Sequence, residues 1–203
     1  GRFRVECPGR AGGPALTADL LVLAVPAYAA GRLVRPFSPV VADTLRDIYY
    51  PPVAQVFLGF PETAMTRPLD GFGYLIPAKE QRKILGTIWS SALFPGRAPA
   101  GHVAFTTFVG GSRQPDLAGL DEGDLVATVT SELREIMGVR GDASFIKVFR
   151  WPQAIPQYNV GYGAIIERIE ALEKKVPGLY LCGNFRGGIA VGDAIIVMTW
   201  LHE

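Results

Sequence analysis

Apolar and polar positions follow several periods along this chain, and the changes of period divide it. Phe3, Val5 and Cys7 alternate with charged residues, the period of two that marks a half-buried strand. A glycine-rich turn over Pro8 to Pro14 follows. The unbroken apolar run Asp19-Leu-Leu-Val-Leu-Ala-Val25 then predicts a strand buried on both faces. Pro26 ends that run and fits the first turn of a helix, and a second short helix runs through Asp43 to Ile48. From there the pattern shortens. Val53 to Phe60, Phe72 to Ile76, Ile84 to Ser90 and Val103 to Val109 are four strand-like runs between proline and glycine turns. They predict an antiparallel sheet distinct from the first buried strand.

Helical spacing comes next. Leu125, Val129, Leu133, Ile136 and Met137 form one stripe, with Asp121 and Glu122 where a helix N-terminus favours negative charge. Ser144 to Trp151 reads as a strand. Ile165, Ile169 and Leu172 mark a helix from Gly161 to Lys175 that ends on Lys174 and Lys175. Gly178 to Gly183 is a short apolar strand, Asn184 to Gly188 a glycine-rich turn, and Ile189 to Leu201 a helix. The fold class is mixed α/β and α+β.

Charge and composition narrow the chemistry. Twenty basic against nineteen acidic residues leave a net charge of +1, with no basic cluster, so no nucleic-acid partner is expected. Cys7 and Cys182 have no metal-ligand spacing and read as buried small side chains; His102 and His202 are too few for a histidine metal site or triad. No metal and no catalytic acid/base pair is expected. The longest apolar run, Leu20 to Ala30, is too short to span a bilayer. A chain that starts inside a strand reads as a fragment.

The strand, glycine turn and helix near the end bring bare backbone N–H groups and a helix N-terminus to one point. Gly183, Gly187 and Gly188 would let a flat ring approach the main chain, although a purely structural turn fits the same residues. Asp193, tempting as an acid or base, reads better as a charge partner of the helix N-terminus; Arg186 could pair with a phosphate or carboxylate, although a lone loop arginine is usually solvated. Trp151-Pro-Gln-Ala-Ile-Pro-Gln157 is a stiff extended segment, either an edge that covers the core or a wall that sets Trp151 against a ring. Phe72, Tyr74, Leu75, Leu93 and Phe94, beside Gly71 and Gly73, suit either an aromatic pocket or an ordinary sheet core.

Several stretches together resemble the protoporphyrinogen oxidases, within the monoamine-oxidase-like flavoenzymes. They are Tyr49-Tyr-Pro-Pro-Val53, Gly71-Phe-Gly-Tyr-Leu75, Leu85-Gly-Thr-Ile-Trp-Ser-Ser-Ala-Leu-Phe-Pro95, Gly110-Gly-Ser112, the Trp151 to Gln157 run, Gly178-Leu-Tyr-Leu-Cys-Gly-Asn184 and Gly187-Gly-Ile-Ala-Val-Gly-Asp193. The resemblance implies that residues 1–50 and 151–203 are part of an FAD-binding domain, and residues 51–150 a substrate-binding domain. It implies FAD contacts at Trp151, Gly183, Asn184, Gly188, Ile189, Ala190 and Val191, and tetrapyrrole contacts at Gly73, Leu75 and Phe94. The implied reaction removes six electrons and six protons from protoporphyrinogen IX, with oxygen as acceptor.

No Gly-x-Gly-x-x-Gly turn with its acidic partner occurs here. The expectation is therefore a C-terminal fragment with an incomplete FAD site, inactive alone. A cytoplasmic location at the periphery of a membrane and a homo-oligomer are further expectations of the full-length protein. Another amine-oxidase or desaturase flavoenzyme, and a non-redox tetrapyrrole-binding module, stand as alternatives.

Overall fold

The computed structural model describes residues 2–6 and 15–199. The turn Pro8 to Pro14, Cys7 and the last four positions, among them His202, lie outside the described residues. Contacts divide the chain into two units: one from the residues up to Tyr49 and from Ile155 onward, the other from Tyr50 to Ala154.

In the first unit, β1 (Phe3–Val5) pairs antiparallel with β2 (Leu16–Ala18). β3 (Leu21–Ala24) pairs parallel with β9 (Leu179–Cys182), Leu21 opposite Leu179 and Ala24 opposite Cys182. Two-sided burial of β3 does not hold. Only Leu23 is buried and Val22 is 41% exposed, because β9 is its sole strand neighbour among the described residues. Helix α1 (Ala27–Val34) buries Ala27, Ala30 and Val34, the three-and-four spacing of one face. It crosses α2 (Pro39–Arg46) closely at Gly31, where a Cβ would stand 2.7 Å from the Ala42 carbonyl. Ser38 Oγ caps α2 by accepting from Val41 N, and Pro39 occupies the first turn. Helix α5 (Gly163–Lys175) buries Ile169 and Leu172. Cys182 is buried, and that burial pushes its thiol upward.

In the second unit, β4 (Val53–Pro61), β5 (Gly73–Leu75), β6 (Gly86–Ile88), β7 (His102–Gly110) and β8 (Phe145–Trp151) form one antiparallel sheet in the order β5-β6-β7-β4-β8. Short helix α3 (Ser90–Leu93) follows β6, and α4 (Glu122–Met137) connects β7 to β8. Asp121 Oδ1 caps α4 by accepting from Asp124 N, and Gly138 ends it in the left-handed conformation at φ 67°. The α4 stripe Leu125, Val129, Leu133 and Met137 packs with Ala54, Val56, Leu58 and Phe60 of β4, all nearly or fully buried. Each unit closes at its junction. Ala154 N donates to Pro51 O at 3.1 Å in the second unit, and Gln157 N donates to Tyr49 O at 2.9 Å in the first.

Candidate functional site

In the first unit, β9 runs into the turn Gly183 to Ala190 and then into α6 (Val191–Thr199). The helix begins at Val191, so Ile189 and Ala190 precede it instead of opening it. Asp193 explains the shift. Its Oδ2 accepts from Ala190 N at 3.0 Å, while Ala190 O accepts from Ala194 N, half of a capping box that makes Ala190 the cap. Asp193 is thus the N-terminal charge partner its position suggested. Gly183, Gly187 and Gly188 adopt φ of 152°, 76° and 142°, conformations closed to most side chains.

Two hydroxyls tie this turn down. Tyr158 Oη donates to Asn184 O at 2.8 Å and accepts from Gly188 N at 3.2 Å. Tyr162 Oη donates to Phe185 O at 2.7 Å, and the two rings stack with centroids 4.4 Å apart. Burial pushes the Tyr158 phenol up, so it remains protonated as a donor across neutral pH. The Tyr-x-x-x-Tyr spacing was the available signal, and sequence reasoning passed over it. Replacing Tyr158 by Phe leaves the Asn184 carbonyl and Gly188 amide without this partner. We expect a loss of about 1 kcal/mol in urea unfolding and faster exchange of the Gly188 amide.

Of the two readings of Arg186, the structure takes the carboxylate partner over the solvated loop. Its side chain is 16% exposed and its Nη1 donates to Glu173 Oε1 at 2.7 Å and to Leu181 O at 3.1 Å. The same Glu173 oxygen accepts from Leu181 N at 2.8 Å. Arg186 and Glu173 together satisfy both main-chain groups of Leu181, the work a further strand would otherwise do.

What remains open is the start of α6. The N–H groups of Ile189, Val191 and Gly192 meet no acceptor among the described residues. Ile189 and Val191 are 52% and 80% exposed. Free donors, a positive helix end and bare apolar side chains suit a flat, electron-rich ring carrying acceptor atoms.

In the second unit, the sheet register separates two faces. Ala54, Val56, Leu58 and Phe60 meet α4; Val53, Gln55, Phe57 and Gly59 turn the other way. Carrying that alternation through the register puts Gly73 and Leu75 of β5, Gly86 and Ile88 of β6, Phe108 of β7, and Phe149 and Trp151 of β8 on this second face. Leu75 is 87% exposed and Trp151 54%, and Phe72 and Phe94 stand in solvent as well. An ordinary sheet core therefore does not account for these side chains; only Tyr74 packs against it. A hollow of about 280 Å³ is lined by Phe72, Gly73, Leu75, Gly86, Ile88 and Phe108, among others. Phe94 is not part of that lining and caps α3 instead. Ile88 and Phe108 join the candidates, a result that needs the register and is invisible in a linear motif. Gly73 at φ 138° and Gly86 lie where a Cβ would meet the facing strand at 2.1 Å or slightly more, so β5 and β6 approach closely only because both lack side chains.

A parallel strand pair leads through a glycine turn to a helix start with open N–H groups in the first unit, and the second unit holds an antiparallel sheet bare on one face. The profile described as "Flavin containing amine oxidoreductase" matches residues 2–196, and the chain belongs to that family. It is 38% identical over 161 residues to the mitochondrial protoporphyrinogen oxidase of Nicotiana tabacum, covering 78% of this chain and 32% of that protein. It is 29% identical over 184 residues to the coproporphyrinogen III oxidase of Bacillus subtilis, covering 90% of this chain and 39% of the relative. The chain thus spans about a third of the length of the curated relatives it matches. Among solved structures, that of a candidate protoporphyrinogen oxidase from Exiguobacterium sp. 255-15 superposes with a TM-score of 0.71 at 22% identity. It covers 93% of this chain and 42% of the other, a likeness of fold. Among the described residues, no helix is long and apolar enough to cross a membrane, and no cluster of metal-ligating side chains occurs.

Proposed function

We propose that this chain is part of an FAD-dependent protoporphyrinogen oxidase that takes oxygen as its electron acceptor. The observation that carries the reading is its similarity to plant enzymes of that name at 37–39% identity. FAD, held by residues of this chain, would supply the two-electron redox chemistry that their side chains cannot. In this reading Gly183 and Asn184 would hold the ribityl chain, and Gly188, Ile189, Ala190 and Val191 would hold the ring. The Ile189, Val191 and Gly192 amides and the α6 dipole favour negative charge on the ring edge without any ionisable group.

Trp151 belongs to the flavin assignment through the family resemblance. Gly73 and Leu75, with Ile88 and Phe108, hold the tetrapyrrole on the bare sheet face and exclude water from it. Phe94 belongs to the same assignment through the family resemblance. No acid/base pair is required of this chain, since its task is position and dryness.

A second reading rests on the Bacillus relative: coproporphyrinogen III, with four propionates, as the substrate. The test is an oxygen-coupled assay of the whole protein on protoporphyrinogen IX, coproporphyrinogen III and primary amines. We expect turnover of the first, and Leu75→Ala to raise its KM more than it lowers kcat. Preferred turnover of amines would refute the proposal, and preferred turnover of coproporphyrinogen III would replace it by the second reading.

A further inference from the structure

A second hollow, of about 530 Å³, opens on the same sheet face at the far end of β4 and β7. Its floor is Phe57, Gly59, Ala104 and Phe145, and its rim carries Arg97 and His102. The floor is apolar and wide because Gly59 lacks a side chain opposite Phe145; a Cβ there would stand 3.2 Å from the Phe145 Cβ. Ser90 Oγ and Thr106 Oγ1, both buried, hydrogen-bond at 2.7 Å where α3 lies over the sheet, so this hollow and the one around Leu75 have different linings.

The charges around it are one-sided. On this face β4, β7 and β8 carry Lys147 and His102 and not one acidic side chain, while Arg150 lies on the α4 face and donates to Leu120 O. No Asp or Glu lines the hollow. Arg97 meets no carboxylate among the described residues. It stands over the Phe94 ring, its Cζ 5.5 Å from the centroid. Lys147, opposite Phe57 in the register, similarly stands over Phe149 at 5.7 Å. Elsewhere in the molecule Arg82, Arg134 and Arg186 each have an acidic partner. An apolar floor beneath cations without counter-charge is complementary to a molecule that is greasy along its length and anionic at one end.

We propose that this hollow is a second ligand site, distinct from the one around Leu75, for an apolar molecule ending in a carboxylate. Arg97 is its anion partner, and Phe57 and Phe145 hold its body. The inference does not depend on which tetrapyrrole the protein oxidises. A fatty acid and a propionate-bearing tetrapyrrole share the required chemistry, and the test separates them.

Oleate, below its micelle concentration, and methyl oleate are titrated into the protein by calorimetry. We expect one oleate per chain, weaker binding at high salt, and little binding of the ester. Arg97→Ala weakens oleate about fivefold, the size of a part-exposed ion pair. Phe145→Glu, on an exposed edge strand, abolishes binding while the melting temperature stays within a few degrees. Displacement of oleate by protoporphyrin IX, retained in Leu75→Ala, assigns the hollow to a tetrapyrrole carboxylate; persistence of oleate assigns it to an acyl chain. Equal binding of acid and ester, no binding of oleate or of protoporphyrin IX to the unsubstituted protein, or an unchanged affinity in both variants overturns the proposal.

Discussion

Gly188→Ala is expected to destabilise the first unit by about 3 kcal/mol and to release the N-terminus of α6. Two effects add. The native φ of 142° is open to glycine and strained for alanine. A methyl group built at this position would fall 2.6 Å from Asp193 Cβ and nearer still to the carboxylate that caps Ala190. The alanine therefore evicts the cap as well as straining the chain. Gly192→Ala is the matched control, since nothing lies within 4 Å of the added methyl. There alanine should be neutral or stabilising, because it favours helix by up to about 1 kcal/mol. Urea unfolding measures both, and amide exchange at residues 190–194 locates the damage. Equal stabilities for the two variants would show that the turn is not locked as described.

Glu173→Ala should have an effect of similar or greater size, a loss of about 3–5 kcal/mol, by stranding a buried guanidinium. Glu173 is 12% exposed and Arg186 16%, so water cannot easily replace the lost partner. Glu170 stands 3.8 Å from Arg186 and compensates only in part. The Leu181 amide loses its acceptor as well. The double variant Glu173→Ala, Arg186→Leu should recover much of the loss, since an apolar replacement removes the stranded charge. A cycle of thermal unfolding measurements gives the coupling, and additive losses across that cycle would rule out the pairing. If the turn holds a flavin, the single variant should also weaken it, through the position of Gly183.

The fold was legible where one period governs an element. The α4 stripe and the alternation in β4 place their side chains as the sequence predicts, because each packs on a single partner. β3 misled because an apolar run indicates affinity for a core without saying how many neighbours the strand has. Arg186 could be read either way for the opposite reason: its partner Glu173 sits on a different element, and no local pattern couples them. The start of α6 moved by two residues because Asp193 chose the cap. Within the candidate site, the glycines of the turn were readable from their spacing. Tyr158 and Tyr162 showed only as a Tyr-x-x-x-Tyr spacing, since the main-chain groups they bond carry no sequence signature of their own. Ile88 and Phe108 look like ordinary strand residues until the register puts them on the face of Leu75.

The parallel pairing of β3 with β9 joins two segments separated by the whole of Tyr50 to Ala154. During synthesis, β3 must wait until the intervening hundred or so residues have emerged before its partner exists. Collapse of that intervening sheet brings its own ends together, as the Ala154–Pro51 hydrogen bond records, and so shortens the effective loop that β3 and β9 must close. Assembly of the turn at Gly183 is in this way kinetically subordinate to a sheet that contributes no residue to it. A lesion in β4 or β7 would delay maturation of a turn whose own residues are all intact.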